Sequence, residues 1–291
     1  MKTVTSKDNP VLKAAKKLRT RKGREEAGAF LAEGEKLISE AVMAGLAVEH
    51  VFINGGAVAR GDVKAGEFAN EIATRRGEAA TGEYANEIAL EEKLFLGLAG
   101  TVTPQPYMAV VKKPGDAYHG DGAVDRGKGF GMSKGPASCR LRALVFDRVG
   151  DPGNVGTMMR SALAAGFDAV WCTKGTADVF SDKAIRASAG AVFRLPAREG
   201  LSAEDCISLA EDIGARLIVC DAGGAGLYET DLTGSFALVI GSESAGPQDI
   251  FLEAAAAVVG IPMAEGVESL NAATAAAVVM YEALRQTEKE G

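Results

Sequence analysis

The stretch Val267-Glu-Ser-Leu-Asn271 lies between an apolar segment, Ala257–Met263, and an alanine-rich run, Ala272–Gln286. This order predicts a strand, a short polar loop and a C-terminal helix. Ser269 is predicted to cap the helix, and Asn271 lies at its first turn, where backbone N–H groups lack partners. A polar loop between a buried strand and a helix is a common ligand position in α/β folds, although a simple cap explains the same residues.

Short apolar segments alternate with helix-like segments through the whole chain after Leu141. This alternation predicts a parallel sheet that is covered by helices on both faces. The predicted strands are Ala143–Val149, Asp168–Thr173, Ala191–Leu195, Arg216–Asp221, Phe236–Gly241 and Ala257–Met263. The predicted helices are Val155–Ala165, Ser181–Ser188, Ala203–Ile213, Gln248–Ala254 and the C-terminal helix.

The first part of the chain predicts a smaller α/β domain. Its predicted helices are Asn9–Leu18, Ala29–Ala44, Glu67–Arg76 and Ala85–Leu98, and its predicted strands are Val48–Ile53 and Tyr107–Lys112. A glycine-rich stretch without periodicity follows and is predicted to be a linker. The expected division is therefore a domain of residues 1–114, a linker of residues 115–140 and a second domain of residues 141–291.

The net charge of −7 is unevenly distributed. Residues 1–24 contain nine Lys and Arg residues and one acid, Asp8, which gives +8 and leaves −15 for the rest of the chain. A concentrated basic segment suggests phosphate binding, and a solvated helix face explains the same charges. The candidate phosphate-binding residues are Lys16, Lys17, Arg19, Arg21, Lys22 and Arg24.

Composition excludes several classes of protein. No apolar run approaches the ~18 residues that a membrane helix needs, and the start of the chain lacks a signal-peptide core, so a cytoplasmic protein without a membrane partner is expected. Only two histidines are present, His50 and His119, which argues against a Ser/His/Asp triad or a histidine zinc site, and no metal is expected. The four cysteines have no CxxC spacing and are predicted to be reduced.

Polar, glycine-containing residues follow three of the predicted strands. The first such junction is Asp151-Pro-Gly-Asn-Val-Gly-Thr-Met-Met-Arg160, the second is Gly241-Ser-Glu-Ser-Ala-Gly-Pro247, and the third is the stretch before the C-terminal helix. Taken singly, each is explained by turns, caps and surface ion pairs. Because ligands of open parallel sheets bind at the carboxyl ends of the strands, three such junctions favour a functional site.

The three motifs together resemble the SpoU (TrmH-type) family of RNA 2′-O-ribose methyltransferases, within the SPOUT superfamily. The resemblance covers residues 142–286 and is carried by Asn154-Val-Gly156 with Arg160, by Gly241-x-Glu243-x-x-Gly246, and by Ile261-Pro-Met263 with Ser269-Leu-Asn271. Asp151-Pro152 and Lys183…Arg186-Ala-Ser188-x-Gly190 add to it. The basic start with Phe30-Leu-Ala-Glu-Gly34 resembles the family's N-terminal RNA-binding domain.

This resemblance implies an α/β parallel-sheet SPOUT methyltransferase domain with a C-terminal trefoil knot, preceded by a small α/β RNA-binding domain. It also implies S-adenosylmethionine as cofactor and a homodimer. The implied catalytic residues are Arg160, Asn154, Glu243, Ser269 and Asn271. The implied cofactor-binding residues are Thr173, Gly241, Ile261, Pro262, Met263 and Leu270.

The implied reaction is methyl transfer to a ribose 2′-hydroxyl of structured RNA, with rRNA favoured over tRNA. Since a guanidinium is a poor base, Arg160 is expected to orient the ribose or phosphate and to stabilise developing negative charge. The main alternative is a non-catalytic RNA- or ribosome-binding protein that retains the fold. A dehydrogenase would carry G-x-G-x-x-G after the first strand of the sheet, and that motif is absent.

Overall fold

The computed structural model describes residues 3–64, 66, 68, 86–114, 140–267 and 269–288. The contacts within the chain define two compact units. One consists of residues 1–114 with Phe180–Asp182, and the other of residues 115–179 with Lys183–Gly291. The predicted helix at 67–76, the predicted linker and Cys139 fall almost wholly outside the described residues. No helix in the described part of the chain is long and apolar enough to cross a membrane.

The first unit contains a five-stranded mixed sheet. Its strands are β1 (Thr3–Val4), β2 (Ala29–Glu33), β3 (Val48–Asn54), β4 (Asn86–Leu90) and β5 (Tyr107–Lys112), in the order β1-β4-β3-β5-β2. Its helices are α1 (Pro10–Lys17), α2 (Arg21–Ala27), α3 (Glu35–Met43), α4 (Gly55–Arg60) and α5 (Glu92–Leu96). Leu12, Phe52 and Phe95 are fully buried between helices and sheet and form the centre of its core.

Two sequence predictions in this unit are wrong. The predicted helix Ala29–Ala44 is strand β2 followed by α3, and Gly34 separates them at φ +94°, a conformation that no helix interior allows. The predicted helix Ala85–Leu98 is β4 followed by the short helix α5. Strand β4 pairs with β1 on one side and β3 on the other, so tertiary pairing overrides its helical pattern.

The second unit contains a six-stranded sheet in which every neighbouring pair is parallel, as predicted. Its strands are β6 (Arg142–Phe146), β7 (Ala169–Thr173), β8 (Ala197–Leu201), β9 (Arg216–Gly226), β10 (Phe236–Ile240) and β11 (Ala257–Gly260), in the order β11-β9-β10-β6-β7-β8. Every residue of β6 and β10 is buried, because helices cover both faces of the sheet.

The helices of this unit agree with the predicted segments to within a few residues. They are α6 (Pro152–Ala164), α7 (Asp182–Ser188), α8 (Ala203–Asp212), α9 (Asp249–Ala254) and α10 (Ala272–Glu288). On one face, α8 and α9 pack against Val145, Val219 and Val239. Helices α6 and α10 contact each other.

One predicted strand of this sheet is wrong. The segment Ala191–Leu195 contains a 3-10 turn, Ala191–Phe193, and the strand that pairs with β7 is β8, which begins after Pro196. Gly190, at φ +88°, begins the turn, and all three turn residues are buried. An apolar run this short has no periodicity that distinguishes a buried turn from a strand.

Candidate functional site

The three polar junctions lie at one edge of the six-stranded sheet because all of its strands run in the same direction. Residues 147–151 follow β6, residues 241–248 follow its neighbour β10, and residues 261–271 follow β11. The structure therefore brings together side chains that lie far apart in sequence, as the parallel arrangement predicts.

Asn154, Glu243 and Asn271 form one hydrogen-bonded cluster. The side-chain amide of Asn154, in the first turn of α6, donates to Oε1 of Glu243. Nδ2 of Asn271 donates to the same Oε1 at 3.2 Å and to Oδ1 of Asn154 at 3.2 Å. One residue from each of the three junctions thus contributes to a single polar surface at the carboxyl edge.

Asn271 also caps α10, which corrects the prediction that Ser269 does so. Oδ1 of Asn271 accepts from the backbone N–H of Ala273 at 2.9 Å and of Thr274 at 3.3 Å. Ser269 lies two residues before this cap and is exposed. The oxygen of Asn271 therefore serves the helix while its nitrogen holds Asn154 and Glu243.

Arg160 lies two turns beyond the start of α6 and is exposed. Within the described chain its guanidinium forms no hydrogen bond or ion pair, including none with the Asn154–Glu243–Asn271 cluster. An exposed guanidinium without a protein partner has all five N–H donors available for an anionic ligand.

The start of α6 is held by Asp151. Its Oδ1 accepts from the backbone N–H of Gly153 at 2.7 Å and from Nζ of Lys183 at 2.6 Å. These two bonds, with the lysine contributing most, hold the pKa of the Asp151 carboxyl below its usual value. The cap fixes the turn of α6 that carries Asn154.

Gly156 is required by the approach of α7. A Cβ at Gly156 would lie 2.3 Å from the carbonyl oxygen of Ala184 and 2.7 Å from Cβ of Ala187. Gly241 is similarly enclosed, since its Cβ would lie 2.1 Å from the backbone nitrogen of Pro247. Two of the motif glycines thus permit close backbone packing around the site.

The predicted cofactor-binding residues fall into two environments. Thr173, at the end of β7, is buried, and its hydroxyl donates to Asp147 at 3.2 Å and accepts from the backbone N–H of Arg148 at 3.0 Å. The segment Ile261–Met263 lies beyond the last ladder pair of β11, and Leu270 is 38% exposed on the same loop. Apolar side chains, together with backbone N–H and C=O groups that are not paired with a neighbouring strand, suit the base of a nucleoside, which has flat faces and a polar edge.

Sequence reasoning missed Asp147, Arg148 and Gln248. The Asp147 carboxylate is fully buried and accepts from the backbone N–H and the side-chain amide of Gln248, at 2.7 and 2.6 Å. The available signal was an Asp directly after a buried strand, at the edge where ligands bind. That signal was outweighed by the more distinctive Asp151–Arg160 motif, which begins four residues later.

The predicted RNA-binding residues also differ in their surroundings. Lys17, Arg21 and Lys22 are exposed, and the latter two form surface pairs with glutamates one turn later. Arg24 is buried, and its Nη1 donates to the carbonyl oxygen of Leu18 at 2.8 Å. Nε of Arg19 donates to another backbone carbonyl at 2.7 Å, and Lys16 is half-buried.

The fold defines an α/β protein with a hydrogen-bonded polar cluster at the carboxyl edge of a parallel sheet, after a separate domain whose first 24 residues are basic. Comparisons with known proteins identify the family. Residues 142–281 match the SpoU rRNA Methylase family, and residues 9–109 match the MRM3-like substrate binding domain. The 23S rRNA (guanosine(2553)-2′-O)-methyltransferase RlmP of Bacillus subtilis is 32% identical over 285 residues, which is 97% of this chain and 98% of that protein.

Solved structures agree with this assignment. The SpoU methyltransferase AviRb of Streptomyces viridochromogenes, in complex with AdoMet, has a TM-score of 0.76 at 30% identity and covers 96% of this chain and 98% of its own. An AdoMet-bound rRNA methyltransferase of Sinorhizobium meliloti has a TM-score of 0.75 at 26% identity and covers 98% of this chain and 97% of its own. This chain belongs to the SpoU rRNA methylase family, as the motifs predicted.

Proposed function

We propose that this protein transfers a methyl group from S-adenosylmethionine to a ribose 2′-hydroxyl of ribosomal RNA. The observation that carries the proposal is the hydrogen-bonded cluster of Asn154, Glu243 and Asn271 at the carboxyl edge of the sheet. Arg160, six residues after Asn154, has no hydrogen bond or ion pair with any residue that the structure describes. Family membership supports the enzyme class, and the names of the relatives support rRNA over tRNA.

The residues at the sheet edge fit the proposed cofactor. Gly241, Ile261–Met263 and Leu270 would hold it, because they combine close backbone packing with an exposed apolar wall, and Thr173 would fix the neighbouring strand end. When bound, S-adenosylmethionine supplies an electrophilic methyl group on a sulfonium centre.

The protein's own residues would align and activate the acceptor. In-line alignment of the 2′-oxygen with the methyl carbon accounts for much of the rate enhancement in such a transfer. Asn154, Glu243 and Asn271, with the nearby Ser269, would position the ribose. Arg160 would bind the adjacent phosphate or ribose oxygen and stabilise the negative charge that develops on the 2′-oxygen as its proton passes to solvent water.

The decisive experiment incubates the purified protein with methyl-labelled cofactor and with purified rRNA or tRNA, and then maps the 2′-O-methylated positions. We expect label in one rRNA position. Label in tRNA alone would overturn the substrate assignment. Binding of RNA without label in either substrate would favour the alternative, a non-catalytic RNA-binding protein that retains the fold.

We further propose that residues 1–114 bind the RNA and that residues 115–140 link them to the catalytic domain of residues 141–291. Phosphate contacts would come from the basic segment, through Lys16, Lys17, Arg19, Arg21 and Lys22. Arg24 would act by supporting the turn between α1 and α2. RNA affinity should fall steeply with salt, and it should fall further when Arg19, Arg21 and Lys22 are neutralised. Affinity that does not respond to salt would contradict this arrangement.

We propose in addition that the active protein is a cytoplasmic homodimer with a C-terminal trefoil knot. Support for the knot comes from the family, since residues 142–281 match the SpoU rRNA Methylase family. An experimental density map of residues 216–288 tests the threading, and analytical ultracentrifugation tests the dimer.

A further inference from the structure

A buried carboxylate and its neighbour hold both ends of the loop that carries Glu243. This loop, residues 241–248, is named the Glu243 loop. At its beginning, the backbone N–H of Asp147 donates to the carbonyl oxygen of Ile240 at 2.9 Å. At its end, the Asp147 carboxylate accepts from the backbone N–H of Gln248 at 2.7 Å and from its side-chain amide at 2.6 Å.

Arg148 adds a third attachment. Its Nη2 lies 3.4 Å from the carbonyl oxygen of Gly246, inside the Glu243 loop, and its Nε lies 3.3 Å from Oδ1 of Asp147. Arg148 has φ +56°, a left-handed conformation that costs a residue with a side chain free energy and persists only where its surroundings hold it. Here the backbone N–H of Arg148 is held by the hydroxyl of Thr173 at 3.0 Å.

The Glu243 loop has internal order as well as fixed ends. Ser242 and Gly246 form an antiparallel bridge, with the backbone N–H of Gly246 donating to the oxygen of Ser242 at 2.9 Å. A loop closed on itself in this way moves as a unit, so the attachments at its two ends determine where Glu243 lies. Because Glu243 accepts from Asn154 and Asn271, a shift of the loop would separate the cluster.

We propose that Asp147 and Arg148 are positioning residues for the methyl-transfer reaction, which hold the Glu243 loop so that Glu243 meets Asn154 and Asn271. This inference rests on the proposed function. Burying a carboxylate costs free energy unless polar contacts compensate it, and the Asp147 carboxylate has four of them. They connect the end of β7, at Thr173, and the residues after β6 with Gln248, at the far end of the Glu243 loop.

The chain offers a matched pair of variants. Gln248→Ala removes a side-chain amide that contacts Asp147 and leaves the carboxylate in place. Gln286→Ala is the control, because Gln286 also forms side-chain hydrogen bonds in this unit, accepting from the N–H of Leu232 at 2.8 Å and donating to the oxygen of Thr230 at 3.0 Å. These partners precede β10, at the opposite edge of the sheet.

The test measures kcat and KM for methyl transfer, the melting temperature, and hydrogen–deuterium exchange of residues 241–248 in the full-length protein. Gln248→Ala should lower kcat about tenfold, change each KM by less than about threefold, and speed exchange in the Glu243 loop. Both variants should lower the melting temperature by a similar amount. The kcat of Gln286→Ala, however, should stay within about twofold of the wild-type value.

Asp147→Asn provides a second, stronger variant, with a larger loss of kcat and faster loop exchange. If that variant does not fold, Gln248→Ala alone decides the question. Wild-type kcat in Gln248→Ala, or equal losses of kcat in Gln248→Ala and Gln286→Ala, would overturn the proposal. If the wild-type protein methylates no RNA, the proposed function fails, whereas the exchange measurements still decide whether Asp147 holds the loop.

Discussion

Asn271 has two separable roles, and substitution can distinguish them. Its oxygen caps α10 through Ala273 and Thr274, and its nitrogen donates to Asn154 and Glu243. Asn271→Ala removes both functions. Asn271→Ser keeps a side-chain oxygen that can cap the helix and removes the amide donor. The two variants should therefore differ in stability but not in activity.

The expected magnitudes follow from these contacts. Loss of the cap should cost about 1 kcal/mol of unfolding free energy, which lowers the melting temperature of a domain of this size by roughly 2–4 °C. The Asn271 amide forms two hydrogen bonds of 3.2 Å on an exposed surface. Losing both should weaken the positioning of Asn154 and Glu243 by about 1.5 kcal/mol. If that free energy is expressed in the transition state, kcat falls about tenfold.

The assay combines scanning calorimetry with single-turnover transfer of labelled methyl groups to rRNA. Asn271→Ala should lose both stability and turnover, whereas Asn271→Ser should melt close to wild type and still turn over about tenfold more slowly. Wild-type turnover in Asn271→Ser would refute the reasoning, since it would mean that Asn271 acts only as a cap.

Three further predictions concern other parts of the catalytic unit. Arg160→Ala should nearly abolish methyl transfer while cofactor affinity, measured by calorimetry, stays within about threefold, and normal turnover would remove Arg160 from the reaction. Gly241→Ala should lower the free energy of unfolding, measured by chemical denaturation, by roughly 1–3 kcal/mol, because the added Cβ would lie 2.1 Å from the nitrogen of Pro247. Unchanged stability would mean that the turn has room for the added carbon. Burial raises the pKa of the Cys206 thiol to about 12 and that of Cys220 to about 11. Both thiols should therefore stay protonated at pH 8 and alkylate slowly until the protein is denatured, as peptide mass spectrometry would detect.

The pattern of apolar segments predicted the second unit better than the first. Strands such as Phe236–Ile240 are buried on both faces and read as continuous apolar runs, and the helices between them carry clear caps. In the first unit, the segment Ala29–Glu33 has the composition of a helix and becomes a strand because it pairs with Tyr107–Lys112. Pairing over that sequence distance leaves no local signal.

The residues of the site could likewise be predicted from the sequence, but the contacts between them could not. Asn154, Glu243 and Asn271 were identified because each follows an apolar segment within a recognisable motif. Their mutual hydrogen bonds join positions 89, 117 and 28 residues apart. Asp147 was missed because its importance lies in a contact with Gln248, 101 residues later.

The amino-acid sequence by itself determined the class of this protein, because strand and helix periodicity and the polar residues at strand ends are local properties. It determined the family for the same reason, through three short motifs in a set order. Only the tertiary structure decided that Asn271 rather than Ser269 caps the last helix and that Asp147 and Arg148 hold the Glu243 loop. These contacts depend on which strands become neighbours, and strand order is set by packing of the whole sheet.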